Sequence, residues 1–107
     1  MIVTGAGEDY MQTGAGSDSL DGGTGLNTLF GGAGIDTFTL RQNAYNFVGD
    51  FELGIDKLDL EGIAFSNLSF FQGTNQPDDV FIFVEQEAIT QIANTQVQDI
   101  DNSNNFV

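Results

Sequence analysis

The feature that most constrains the fold is a nine-residue repeat that occupies the first 39 residues. From Thr4 the chain reads TGAGEDYMQ, TGAGSDSLD, GGTGLNTLF and GGAGIDTFT. In every block the second and fourth residues are Gly, the sixth is Asp or Asn, and the eighth is large and apolar. Self-similarity at a fixed period is typical of chains that stack equivalent turns on one another. The sequence therefore predicts a short solenoid at its N-terminal end.

The apolar position of each block predicts how the turns stack. The last three residues of a block are expected to form a short strand whose middle side chain faces the interior. Two blocks, or 18 residues, then make one turn with a loop on each side. Nine-residue steps outward extend the apolar column to six members, which are Ile2, Met11, Leu20, Leu29, Phe38 and Phe47.

The loops of the repeat combine glycine with one acidic or amide side chain. Glycine permits tight turns that bring several backbone carbonyls toward one point, and the sixth-position side chain adds an oxygen beside them. The chain has no Cys and no His, so its available ligands are hard oxygens, which suit Ca²⁺. Because Ca²⁺ takes about six to eight oxygens, more than one loop supplies, each ion is predicted to be shared by loops on the same side.

Two calcium sites follow from this pairing. One joins loop 4–9 to loop 22–27, and the other joins loop 13–18 to loop 31–36. Asn27 is neutral, so the site it shares with Asp9 is expected to bind more weakly than the site of Asp18 and Asp36. The candidate loop ligands are Thr4, Gly5, Ala6, Gly7, Asp9, Thr13, Gly14, Ala15, Gly16, Asp18, Gly22, Gly23, Thr24, Gly25, Asn27, Gly31, Gly32, Ala33, Gly34 and Asp36.

Two other interpretations of the glycine-rich segment explain less. A flexible linker has no reason to keep an apolar residue at every ninth position and an acidic or amide residue two positions earlier. A phosphate-binding loop requires a basic residue, and the repeats contain no Lys or Arg.

The charge of the chain points to the same cation. Sixteen acidic residues stand against two basic ones, for a net charge of −14. This balance excludes nucleic-acid and anionic-membrane partners, which need a cationic surface. Hydrophobic residues make up 40% of the chain, including ten Phe, so an acidic disordered tail is also excluded. No apolar run reaches the roughly 20 residues that cross a bilayer, so no membrane insertion is predicted.

The composition changes after Leu40, and the second half is predicted to contain strands. Residues 57–61 alternate charged and apolar side chains, and residues 53–56 are typical of the preceding turn. Residues 68–71 and 80–84 are predicted as two further strands, and residues 88–94 as one or two helical turns. The domains are predicted as repeats over 1–48 and a capping region over 49–107, because the last rung of a solenoid needs a cover.

The repeat resembles the nonapeptide GGxGxDxUx of RTX proteins, the hemolysin-type calcium-binding family. The segment DFELGIDKLDLEGI at 50–63 is also similar to the region that comes after the repeats in secreted members. The resemblance implies an all-β fold: a right-handed parallel β-roll that binds Ca²⁺, with an antiparallel β cap. It further implies type I secretion through a C-terminal signal, an extracellular or cell-surface location, and a parent domain on the N-terminal side.

The remaining functional predictions concern catalysis and a third ion. Without His or Cys, and with Ser residues near no candidate base, no catalytic residues are identified, and the chain is predicted not to be an enzyme. Asp50 and Asp56 are either ligands of a third calcium site or surface charges. The leading function is calcium-dependent folding. The alternative is a surface-adhesion or ligand-binding solenoid for glycan or ice.

Overall fold

A computed structural model describes residues 2–3, 5–74 and 78–107, with Ile2 and Val3 described by their backbone alone. Thr4, a predicted ligand, lies outside the described residues. The strands are β1 (Ile2–Val3), β2 (Glu8–Gln12), β3 (Ser19–Asp21), β4 (Gly25–Phe30), β5 (Thr37–Leu40), β6 (Ala44–Val48), β7 (Lys57–Leu60), β8 (Leu68–Gln72), β9 (Val80–Val84) and β10 (Glu87–Ile92). Three short helical segments occupy Phe65–Asn67, Val97–Ile100 and Ser103–Asn105.

The strands form two sheets that enclose one core. The four-stranded sheet has the order β1-β3-β5-β7, and all its pairs are parallel. The six-stranded sheet has the order β2-β4-β6-β10-β9-β8. Consecutive strands of the repeats alternate between the two sheets, so each pair of blocks makes one turn. The predicted all-β architecture with parallel strands is confirmed.

The apolar column of the repeats lies in the core. Leu20, Leu29 and Phe38 have no exposed surface, and Met11 is 4% exposed. Strand partners within the repeats are 18 residues apart, as in Met11 with Leu29 and Leu20 with Phe38. Burial of a side chain of this size is worth about 1.5–3 kcal/mol, so the column is a main source of stability.

The extension of this column to Phe47 was wrong. Val48 pairs with Leu29 and is fully buried, whereas Phe47 pairs with Thr28 on the outer face. The loop before β6 contains one residue more than the nine-residue period allows, and Asn43 in this loop has a φ of 64°. Because strand side chains alternate between the two faces, a one-residue shift exchanges the buried and exposed sets.

The C-terminal region continues both sheets. Strands β8, β9 and β10 pair antiparallel, and β10 joins β6 in parallel. Phe106 forms a parallel bridge with Leu58 at the edge of the four-stranded sheet. The predicted strands at 57–61, 68–71 and 80–84 are confirmed to within one residue at their ends. The predicted helical turns at 88–94 were wrong, because Ile89 and Ile92 lie in strand β10 and are buried in the common core.

Candidate metal centre

The loops between the strands are stacked in two columns, one at each side of the roll. The first loop stack consists of residues 13–18, 31–36 and 50–56, and the second consists of residues 5–9, 22–27 and 41–46. In both stacks the fourth-position glycines lie against one another. A Cβ atom built on Gly34 would lie 2.3 Å from the Gly16 carbonyl oxygen, and one on Gly25 would lie 2.2 Å from that of Gly7. Successive loops therefore approach so closely that only glycine fits.

Three carboxylates follow one another in the first loop stack. The Asp18 backbone N–H donates to Asp36 Oδ1 at 3.1 Å, and the Asp36 N–H donates to Asp56 Oδ1 at 2.9 Å. The Glu52 N–H donates to the second oxygen of Asp56 at 2.8 Å. Asp36 and Asp56 thus each hold the backbone of the loop before them, and both oxygens of Asp56 are bonded.

In the second loop stack, amide side chains replace the second and third carboxylates of the row. Asp9 is the register partner of Asn27, and Asn27 is the register partner of Asn46. Asn27 Nδ2 donates to Asn46 Oδ1 at 3.0 Å, and Asn46 Nδ2 donates to the Thr39 carbonyl at 3.5 Å. Asn27 and Asn46 are 2% and 1% exposed. A polar row therefore crosses the interior face of three strands.

The sixth-position residues of all four repeats keep a buried oxygen atom without a hydrogen-bond partner among the described residues. These atoms are Asp9 Oδ2, Asp18 Oδ2, Asn27 Oδ1 and Asp36 Oδ2. Leaving a polar atom buried and unpaired costs about 1–3 kcal/mol, and more when the group is charged. Four such oxygens, two in each stack, are the arrangement expected of ligands that share a cation. The residues present therefore fit Ca²⁺.

The electrostatics of the first stack also favour a cation. The pKa of Asp36 is raised above its ordinary value, mainly by burial. The hydrogen bond from the Asp18 N–H opposes this rise, and the charges of Asp56, Asp18 and Asp50 add to it. Like charges that are gathered and desolvated disfavour the ionised form. A divalent cation among these carboxylates would remove that penalty.

Side-chain ligands alone do not make a complete site. Within residues 5–74 and 78–107, no three Asp, Glu, His or Cys side chains cluster closely enough to hold a metal. An ion at these loops would therefore depend on backbone carbonyls for most of its oxygens, as the glycine-rich sequence predicts. The Gly31 carbonyl already accepts a hydrogen bond of 2.8 Å from the Thr13 hydroxyl. The other predicted carbonyl ligands stay predictions.

Asp50 and Asp56 have contacts that the sequence did not predict. The oxygens of Asp50 accept hydrogen bonds from the Gly31 and Gly32 backbone N–H groups at 2.9 and 2.8 Å. Asp56 is fully buried, so it is not a surface charge, whereas Asp50 is half-buried. In the described structure these carboxylates bind the backbone of the loop beneath them. A third ion at this place stays a prediction.

The sequence also did not predict an ion pair that involves a partly exposed arginine. Arg41 donates from its Nε and one terminal nitrogen to Asp21, which also accepts from the Gly23 N–H. The hydrogen bond from Arg41 is the main reason that the pKa of Asp21 is lowered, although burial opposes it. Arg41 is the only arginine in the chain, and its single occurrence just after the repeats was the available signal.

None of the helices in the described part of the chain has the length and apolar character that a membrane span requires.

Comparison with known proteins assigns the N-terminal third. Residues 3–38 match the family model described as RTX calcium-binding nonapeptide repeat, in four copies. No curated protein shows significant sequence similarity to the chain. Among solved structures, the AlgE6R3 subunit of the Azotobacter vinelandii mannuronan C5-epimerase aligns with a TM-score of 0.40 and 14% identity, covering 94% of this chain and 78% of that one.

Proposed function

We propose that the chain is a calcium-binding β-roll module that folds when it binds Ca²⁺, from the premise that residues 3–38 match four RTX calcium-binding nonapeptide repeats. One ion would lie in each loop stack, between Asp9 and Asn27 in one and between Asp18 and Asp36 in the other. The observation that carries the proposal is that each of these four residues has a buried oxygen with no hydrogen-bond partner in the described part of the chain.

Folding and binding would be one equilibrium because the loops are unfavourable without the ion. With a net charge of −14, the chain opposes its own compaction. A ligand that binds the folded state alone stabilises it in proportion to the logarithm of its concentration. The side chains and carbonyls of the loops hold the ion, and the ion in return neutralises the carboxylates.

A calcium titration tests this function on the complete chain. Isothermal calorimetry is expected to give two ions of unequal affinity, with a parallel gain of β signal in circular dichroism. Mg²⁺ is the control, because it demands a smaller octahedral shell and dehydrates reluctantly. An unchanged β signal when EGTA is added to the calcium-loaded chain would refute the proposal.

One substitution tests which calcium affinity belongs to which loop stack. Asp18→Asn gives the site at residues 18 and 36 one Asp and one Asn, as in the site of Asp9 and Asn27. The tighter of the two affinities is expected to fall toward the weaker one, because one carboxylate is lost. If the weaker affinity fell instead, the assignment of the ions to the stacks would be reversed.

We also propose that the chain works outside the cell, after type I secretion. Support comes from the repeat class and from the calcium requirement, since millimolar extracellular Ca²⁺ would fold a chain that stays unfolded where calcium is scarce. Expression of the chain in cells with and without a type I exporter, followed by assay of the medium, tests this. Equal amounts in both media would contradict it.

A second candidate function is binding of a neutral glycan on the outer face of the six-stranded sheet. Tyr10, Phe47, Phe81 and Phe71 lie in one cross-strand row on this face, with Thr28 and Gln91 between them. Tyr10 is 66% exposed and Phe71 is 55% exposed. Aromatic rings with polar neighbours suit the apolar and hydroxyl faces of a sugar.

Charge favours a neutral ligand on this face, because the chain carries only two basic residues. Affinity electrophoresis in gels that contain neutral polysaccharides is expected to retard the wild type and to retard Phe71→Ser less. Equal mobility of the two proteins in every gel would refute this function.

A further inference from the structure

We infer that Asn46 is a positioning residue for the calcium site of Asp9 and Asn27. Through its side-chain amide it makes Asn27 present an oxygen, instead of a nitrogen, to the ion. The inference rests on the proposed function, because it concerns the weaker of the two proposed sites. An asparagine can serve as a ligand in only one of its two orientations, since only the amide oxygen binds a cation.

The orientation begins at a backbone carbonyl. The Thr39 carbonyl oxygen can only accept a hydrogen bond, so Asn46 must turn its Nδ2 toward it, and these atoms are 3.5 Å apart. The reverse orientation would place two acceptors against each other. The orientation of the Asn46 amide is thereby set by a carbonyl group that can only accept.

The second step transfers this polarity to Asn27. Asn46 Oδ1 now faces Asn27 and can only accept, so Asn27 must present Nδ2, which donates to it at 3.0 Å. Asn27 Oδ1 is then the atom left over, and it is buried without a hydrogen-bond partner in the described ranges. Both amides are at most 2% exposed, so water is a poor competitor for these bonds.

The first loop stack needs no such device. Asp36 occupies the place of Asn27, and both of its terminal atoms are oxygens. Its Oδ1 accepts from the Asp18 N–H, and its Oδ2 remains unpaired among the residues described. Asn46 would thus compensate for the loss of a carboxylate in the second stack, where a freely rotating amide would offer its nitrogen for part of the time.

Calcium titrations of variants test the inference. Asn46→Leu keeps the branching at Cγ and the number of heavy atoms, and it removes the acceptor that orients Asn27. It is expected to weaken one of the two ions by about tenfold, which is typical of lost outer-shell partners. The ion at Asp18 and Asp36 is the internal control for folding, and its affinity should not change.

Thr90→Val is the matched control variant. Thr90 is the register partner of Asn46 on the side away from Asn27, is fully buried, and has a hydroxyl that bonds nothing within the described structure. It belongs to the same row but not to the relay, so the substitution should leave both affinities unchanged. A loss equal to that of Asn46→Leu would overturn the inference.

A double-mutant cycle separates orientation from packing. In an Asn27→Asp background both terminal atoms at residue 27 are oxygens, so orientation no longer matters. Asn46→Leu is expected to cost clearly less there than in the wild type. The same fold-loss in both backgrounds would assign Asn46 a packing role and refute the relay.

One measurement needs no variant. In the calcium-loaded wild type, a scalar coupling across the hydrogen bond should connect ¹⁵Nδ2 of Asn27 with ¹³Cγ of Asn46. A coupling in the reverse direction would overturn the inference. A wild type that takes up no Ca²⁺ refutes the proposed function, whereas two bound ions with no effect of Asn46→Leu refute the relay alone.

Discussion

Residues 5–40 and residues 41–107 extend the same two sheets but close their loops by different means. In residues 5–40 the side chains of Asp9, Asp18, Asn27 and Asp36 each leave one buried oxygen unpaired among the described residues. Beyond residue 40, the protein supplies its own donors. Both oxygens of Asp56 accept backbone N–H groups, and Asn46 and Asn105 bond through their side chains.

The contrast shows where an external cation is required. Buried apolar side chains stabilise the strands of both regions. The loops differ in how fully their carboxylates are bonded. Asp18 and Asp36 each keep one oxygen unpaired among the described residues, whereas both oxygens of Asp56 accept backbone N–H groups. The strongest calcium dependence is therefore expected in residues 5–40. Among the residues that the structure describes beyond residue 40, Thr90 is the exception, with a buried hydroxyl that has no hydrogen-bond partner.

Removal of calcium is expected to produce the largest difference between the two regions. Hydrogen exchange of the complete chain in Ca²⁺ and in EGTA is expected to show a large loss of amide protection in residues 5–40. A smaller loss is expected in β9 and β10, whose pairing needs no ion. Equal losses in the two regions would show that they fold as one unit, and no loss in either would contradict calcium-dependent folding.

Substitution of Gly34 tests whether the glycine loops must touch. Gly34 and Gly16 have similar φ values, 103° and 106°. A Cβ atom added to Gly16 would meet nothing within 4 Å, whereas one added to Gly34 would collide with the Gly16 carbonyl. Gly16→Ala should cost about 1–2 kcal/mol for its backbone conformation. Gly34→Ala should cost roughly 2 kcal/mol more because of overpacking.

Urea unfolding of the two calcium-loaded variants and the wild type measures how much each substitution lowers the free energy of unfolding. Equal costs at the two glycines would mean that the loops stand further apart than the structure places them.

The shifted register at β6 can be tested with neighbouring residues. Val48→Ala removes a fully buried side chain from the core, with an expected cost of about 2 kcal/mol. Phe47→Ala removes a larger side chain from the outer face and should cost less than half as much. Urea unfolding of both variants measures the two losses of unfolding free energy. A larger cost for Phe47 would restore the unbroken nine-residue column.

The Arg41–Asp21 pair is the smallest expected effect. The Asp21 side chain is 3% exposed and that of Arg41 is 35% exposed. Arg41→Gln should therefore lower the free energy of unfolding by about 1–2 kcal/mol at neutral pH, because it leaves a buried carboxylate short of donors.

The pH dependence of this difference has a definite sign. The pKa of Asp21 is lowered in the folded chain by its hydrogen bond with Arg41. The stabilisation is therefore present above the unfolded pKa, about 3.9, and is lost as the pH falls through the folded pKa. Thermal unfolding of the variant and the wild type should converge in acid. A constant difference down to pH 2 would contradict a charge-based role.

Much of the fold could be read from residue spacing. The core of the repeats could be predicted because each turn repeats the one before it. Equivalent positions therefore share one environment, as do Met11, Leu20, Leu29 and Phe38. Strand β9 was also predicted, since a short run of Val, Ile and Phe is typical of a strand. Strand β10 was mistaken for helix because Ile89 and Ile92 are three apart, an interval that a bulge between Ala88 and Thr90 also produces.

The sequence by itself determined the repeat, its calcium-binding class and the apolar column, because these depend on local spacing that every turn shares. Tertiary structure decided what happens where the period ends. One extra residue before β6 places Val48 in the core and Asn46 beside Asn27, and β10 joins β6 from more than forty residues away. Partners such as Asn46 with Asn27 and Arg41 with Asp21 depend on strand register across the fold, which no local pattern encodes.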